Sequence, residues 1–62
     1  MMFICKRVPL CHGEPMDFII GGRYEFAQER RVFVLYKPQK GYIRRTDIKI
    51  GYYQFRLCFE RV

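Results

Sequence analysis

Turn-forming residues at short intervals, with strand-type alternation between them, predict an all-β fold of about five antiparallel strands. Pro9, Gly13 with Pro15, Gly21-Gly22, Pro38 with Gly41, and Gly51 divide the chain into pieces of strand length and leave little room for a helix of ten or more residues. The cleanest alternation lies near the C-terminus: Tyr53, Phe55, Leu57 and Phe59 share one parity, and Gln54, Arg56, Cys58 and Glu60 the other. A chain of 62 residues buries only roughly 60% of the surface that its unfolded form exposes, which is enough for one domain, residues 1–62, with one small core. Half of the residues are hydrophobic and 18% are aromatic. That exceeds what a disordered segment of this charge carries, so a packed core is expected.

The elements follow in order. An N-terminal strand is expected over about Met2 to Val8, and then Pro9-Leu10-Cys11-His12-Gly13-Glu14-Pro15 reads as a loop because it holds three turn formers. Gly21-Gly22-Arg23-Tyr24-Glu25-Phe26 superficially suggests a phosphate-binding loop. Such a loop needs spaced glycines, a Lys-Ser/Thr pair or a third glycine, and a following helix. Here the two glycines are adjacent, and Tyr24 and Phe26 alternate with Arg23 and Glu25, so the stretch reads as a bend that starts a strand. Val32-Phe33-Val34-Leu35-Tyr36 and Tyr42-Ile43-Arg44-Arg45, joined by Lys37-Pro38-Gln39-Lys40-Gly41, form a central hairpin. The alternating stretch Tyr53–Glu60 is the closing strand. Core candidates are Ile4, Ile20, Tyr24, Phe26, Phe33, Leu35, Ile43, Phe55, Leu57 and Phe59.

This order of elements, with Phe18-Ile19-Ile20-Gly21-Gly22-Arg23-Tyr24-Glu25-Phe26 as its local motif, resembles the small SH3-like β-barrel proteins often encoded by bacteriophages. The resemblance implies an SH3-like barrel and carries over no catalytic residues. The chain departs from that pattern between Arg44 and Tyr53, where the link to the final strand is longer than usual.

Charge is the most informative functional feature. Twelve Lys and Arg stand against six Asp and Glu. Segment 30–49 alone holds Arg30, Arg31, Lys37, Lys40, Arg44, Arg45 and Lys49 against only Asp47, so the whole net charge of +6 lies in that segment and the remainder balances. A basic hairpin flanked by Tyr36 and Tyr42 can hold phosphates and stack on bases. The same cations would protect a strand edge against aggregation, and an acidic protein surface would satisfy them equally well.

Catalysis and metal binding find little support. The chain has no Ser, Asn or Trp, which removes a serine nucleophile. Cys5, Cys11, His12 and Cys58 lack the short paired spacing of a zinc site. Cys11 and His12 are neighbours with no evident third group to orient the histidine, and Glu14 with Asp17 reads as solvated loop. Three cysteines without a secretion signal point to reduced thiols and a cytoplasmic protein, in the host cytoplasm if phage-encoded.

Two functions therefore stand open, neither enzymatic and neither needing a cofactor, a metal or a membrane. The first is a module that binds nucleic acid, or a nucleoprotein complex, through Arg30, Arg31, Tyr36, Lys37, Lys40, Tyr42, Arg44, Arg45 and Lys49. The second is a phage-encoded protein-interaction factor that modulates a host enzyme or defence complex. Homo-oligomerisation through a strand edge is open in both.

Overall fold

The computed structural model describes residues 1–62 and has a mostly-β architecture. In chain order the elements are β1 (Met2–Cys5), β2 (Leu10–Cys11), β3 (Glu14–Pro15), β4 (Arg23–Glu29), β5 (Val32–Gln39), β6 (Tyr42–Gly51), α1 (Tyr52–Cys58) and β7 (Phe59–Arg61). The main antiparallel sheet has the strand order β6-β5-β4-β1-β7, and β2 pairs with β3 as a separate hairpin. No helix is long and apolar enough to cross a membrane.

The glycine pair is a bend, as its sequence suggests. Gly21 has φ +86, a left-handed conformation that costs an L-residue about 1–2 kcal/mol. The Gly21 N–H donates to the Cys5 carbonyl at 2.7 Å and the Cys5 N–H to the Gly22 carbonyl at 2.9 Å, which docks the bend on β1 before β4 begins. A Cβ on Gly22 would lie 2.9 Å from the Ile19 carbonyl oxygen and 2.9 Å from the Tyr24 hydroxyl, so the second glycine is needed for close approach. The central hairpin also forms, longer than its apolar runs suggest. Its two-residue turn is Lys40-Gly41, with Gly41 at φ +76. A register shift between Val34 and Tyr36 opens the β5–β6 ladder, and the Thr46 side chain fills it. Its hydroxyl donates to the Leu35 carbonyl at 2.7 Å and accepts the Ile48 N–H at 3.1 Å.

Four expectations are corrected. The sheet is not closed into a barrel: β6 and β7 are the outer strands, and no ladder joins them. The N-terminal strand ends at Cys5 rather than Val8. The Pro9–Pro15 loop contains the β2–β3 pair, made possible by His12 at φ 54 and Gly13 at φ 80, both in the left-handed region that a type I′ hairpin turn requires. Most consequentially, the stretch read as the closing strand is mainly α1, and only Phe59–Arg61 pairs with β1. Phe55, Cys58 and Phe59 satisfy helical spacing as well as Tyr53, Phe55, Leu57 and Phe59 satisfy alternation, and topology decides between them. In a flat sheet, opposite edges of five strands lie roughly 19 Å apart. The seven residues of α1 span only about 10 Å. The sheet must therefore coil strongly, and α1 crosses its open end.

The core consists of Cys5, Phe18, Phe26, Leu35, Ile50, Phe55, Cys58 and Phe59, with Phe3, Met16, Tyr24, Phe33 and Ile48 packed against it. Aromatic rings fill most of it. Phe26 meets Phe55 at 4.9 Å and Phe59 at 4.9 Å, both edge-on, and Phe3 meets Phe55 edge-on at 4.9 Å. Of the core candidates, Phe26, Leu35, Phe55 and Phe59 are buried, and Ile4, Tyr24 and Phe33 are half-buried. Ile20, Ile43 and Leu57 are exposed. Ile20 falls in the bend before β4, Ile43 lies beyond the bulge opposite Pro38, and Leu57 is on the outer side of α1. Cys58, assigned to the outward parity of a strand, is instead buried by the helical turn.

Candidate nucleic-acid interface

The turn between β4 and β5 is two residues long, Arg30-Arg31, flanked by the paired Glu29 and Val32. Arg30 has φ 61, a position where hairpin turns favour Gly or Asn. The Gln28 side chain supports this backbone by donating to the Arg30 carbonyl at 3.1 Å. The next carbonyl, that of Arg31, accepts the Tyr52 N–H at 2.9 Å, and Val32 is in register with Gly51. The arginine turn and the start of α1 are thereby held side by side. Between them is an open cleft of about 660 Å³ lined by Gln28, Arg30, Arg31, Gly51, Tyr52, Tyr53 and Gln54, with no carboxylate on its walls.

The aromatic side of the cleft is anchored in the core. Tyr52 stacks on Phe33 with centroids 6.3 Å apart, Phe33 on Phe55 at 3.8 Å, and Phe55 on Phe59 at 5.0 Å. A column of near-parallel rings thus runs from β7 through the core to the surface. Tyr53 stands edge-on to Tyr52 at 5.5 Å and is 81% exposed. The Arg56 guanidinium lies over the Tyr52 ring, 5.6 Å from its centroid. Tyr53, Arg56 and the exposed Leu57 line a shallower concavity beside the cleft.

The basic segment does not form a single patch. Arg30 and Arg31 occupy one end of β5, whereas Lys37, Lys40 and Arg44 lie toward the other, with Lys37 directly opposite Arg44. The eight residues of β5 put roughly 23 Å between the two ends. Arg45 is already paired: its Nε and Nη2 donate to the two Glu29 carboxylate oxygens at 3.0 and 2.8 Å, and the Tyr36 hydroxyl donates to the same carboxylate at 3.3 Å. The Arg45 hydrogen bond holds the Glu29 carboxyl below its ordinary value, and Glu29 in turn raises Arg45. Lys49 is exposed opposite Val34, and it too lowers Glu29. Tyr42 is exposed at the hairpin tip, where its hydroxyl donates to Gln39 Oε1 at 2.9 Å.

Of the nine residues expected to bind, only Arg30 and Arg31 line the cleft. Tyr52, Tyr53 and Arg56 were missed because a strand reading sends neighbouring side chains to opposite faces. The signal that would have located them is the i, i+3, i+4 spacing of Phe55, Cys58 and Phe59 after Gly51, which marks a helix whose other face carries Tyr53, Arg56 and Leu57.

The thiols and the histidine do not assemble into a site. Cys5 and Cys58 are buried, and desolvation raises both thiols above their ordinary value. The Cys5 thiol donates to the Arg7 carbonyl at 3.4 Å. Cys11 and His12 are exposed on the β2–β3 hairpin, and no three His, Cys, Asp or Glu side chains come together as a metal-ligating group. No protein-family model, curated protein or solved structure matches the chain.

Proposed function

We propose that this protein is a non-enzymatic module that binds nucleic acid, free or within a nucleic-acid-handling complex, and that it does so through the Arg30–Tyr53 cleft rather than along the whole basic hairpin. The observation that carries this reading is the cleft itself: two adjacent arginines face two surface tyrosines with no carboxylate between them. Arginines contribute phosphate attraction through counterion release, and tyrosines contribute surfaces on which bases stack. Lys37, Lys40 and Arg44 form a second cationic group at the far end of β5.

The test is a binding titration by fluorescence anisotropy over a range of salt concentrations. Log affinity should fall with log salt by about 0.7–0.9 per phosphate neutralised. Arg30→Ala with Arg31→Ala should lower that slope by about 1.4–1.8, whereas Arg45→Ala, whose guanidinium is engaged by Glu29, should barely alter it. Absence of binding to DNA and RNA even at low salt would remove the proposal.

A second reading is a protein-interaction factor, and the outer edge of β6 favours it. This strand has ten residues, pairs only with β5, and displays Arg44 and Lys49. An acidic extended segment could add to that edge by strand pairing. Recovery of a stoichiometric partner from nuclease-treated lysate, with loss on Arg44→Glu, would support it.

A further inference from the structure

Building on the nucleic-acid reading, we infer that the cleft selects single-stranded over duplex nucleic acid, by taking one unpaired base against Tyr53 while the adjacent phosphates lie on Arg30 and Arg31. Tyr53 is the most exposed large apolar or aromatic side chain in the molecule, at 81%, and it stands at the rim of a cleft rather than on a flat face. Its ring stands nearly perpendicular to Tyr52, with centroids 5.5 Å apart, and Tyr52 is the outermost ring of the column through Phe33, Phe55 and Phe59. The hydrogen bonds from the Gln28 side chain to the Arg30 carbonyl and from the Tyr52 N–H to the Arg31 carbonyl hold the backbone of the arginine turn beside the tyrosines. The cleft volume, about 660 Å³, is within the range of about 300–1,000 Å³ typical of small-ligand sites, so it is large enough for a nucleotide.

Selectivity follows from what each ligand can offer. A single strand presents a free base face to Tyr53 and phosphates to the arginines. A duplex keeps its base faces stacked on one another and offers only phosphates, which the arginines bind without discrimination. Arg56, over Tyr52, places a further cation beside the same base.

The experiment compares four probes with the intact protein at one salt concentration: an oligothymidine of about a dozen nucleotides, its oligouridine counterpart, the same-length strand with abasic sites in place of thymidines, and the corresponding duplex. Expected is binding of the thymidine or uridine strand at least about tenfold tighter than that of the abasic strand and the duplex, with Tyr53→Ala weakening the base-bearing strand about 5- to 100-fold and leaving the other two unchanged. Tyr53 contributes little to the core, and unchanged thermal denaturation of the variant confirms that it folds. The abasic comparison needs no variant at all. Equal, salt-dependent binding of all probes would overturn the inference while leaving nucleic-acid binding standing, and absence of binding to every probe would overturn both.

Discussion

Phe55 and Leu57 are two residues apart, and substituting each in turn separates a helix from a strand at this point of the chain. In a strand they share a face, while in α1 they do not: Phe55 is 2% exposed and Leu57 is 69% exposed. The Phe55 ring lies 3.8 Å from Phe33, 4.9 Å from Phe3 and Phe26, and 5.0 Å from Phe59. Truncating a buried phenylalanine to alanine costs about 3–5 kcal/mol. At about 0.05–0.15 kcal/mol per residue, a domain of this length has roughly 3–9 kcal/mol in total. Phe55→Ala should therefore remove at least about a third of that stability. Phe55→Leu keeps most of the apolar volume but forfeits four ring contacts worth about 0.5–1.5 kcal/mol each, and should cost at least about 2 kcal/mol. Leu57→Ala should remain within about 0.5 kcal/mol of wild type, as exposed substitutions do. The assay is thermal denaturation followed by circular dichroism, in which 1 kcal/mol corresponds to about 4–8 °C for a domain of this size. A drop for Leu57→Ala equal to or larger than that for Phe55→Leu would refute the helical packing and restore the alternating strand.

Three further outcomes are expected. Gly22→Ala should destabilise by about 1–3 kcal/mol, because the new methyl would lie 2.9 Å from the Ile19 carbonyl oxygen; Gly51→Ala meets nothing within 4 Å and should be near neutral in the same melt. Alkylation under native conditions should label Cys11 alone, with Cys5 and Cys58 reacting only on unfolding. Since burial raises both of those thiols, their contribution to stability is complete below the ordinary thiol value and is lost as pH rises through the raised one, so denaturation midpoints should fall in alkali. Substituting Cys58→Val should lessen that fall, and an unchanged alkaline slope would count against the assignment. Glu29 shows the opposite sign. Its lowered carboxyl favours the folded state above the ordinary glutamate value, and that support is lost as pH falls through the lowered value. A small stability difference between wild type and Glu29→Gln should therefore be present near neutrality and vanish in acid, and a difference independent of pH would show that the Arg45 pair is not its source.

Local chemistry by itself determined the β-rich class, the Gly21-Gly22 bend, the existence of a hairpin turning before Tyr42, though not its register, and the buried Phe26, Leu35, Phe55 and Phe59. Each rests on information within a few residues: a φ that only glycine adopts readily, a two-residue turn, or an apolar side chain with a fixed parity. Tertiary structure alone decided the state of Tyr52–Cys58. Its apolar residues fit periods of 2 and 3.6 alike, and only the need to carry the chain from β6 to β7 across a coiled sheet selects the helix. That choice turns Leu57 outward and Cys58 inward, and sets Tyr52, Tyr53 and Arg56 beside the Arg30-Arg31 turn. The division of the basic segment was equally invisible in one dimension. Seven cations within one twenty-residue segment become an arginine turn at one end of β5, a lysine-rich group at the other, an Arg45 neutralised by Glu29 and a separate Lys49 opposite Val34, because a hairpin folds neighbours in sequence onto opposite faces and distant ends.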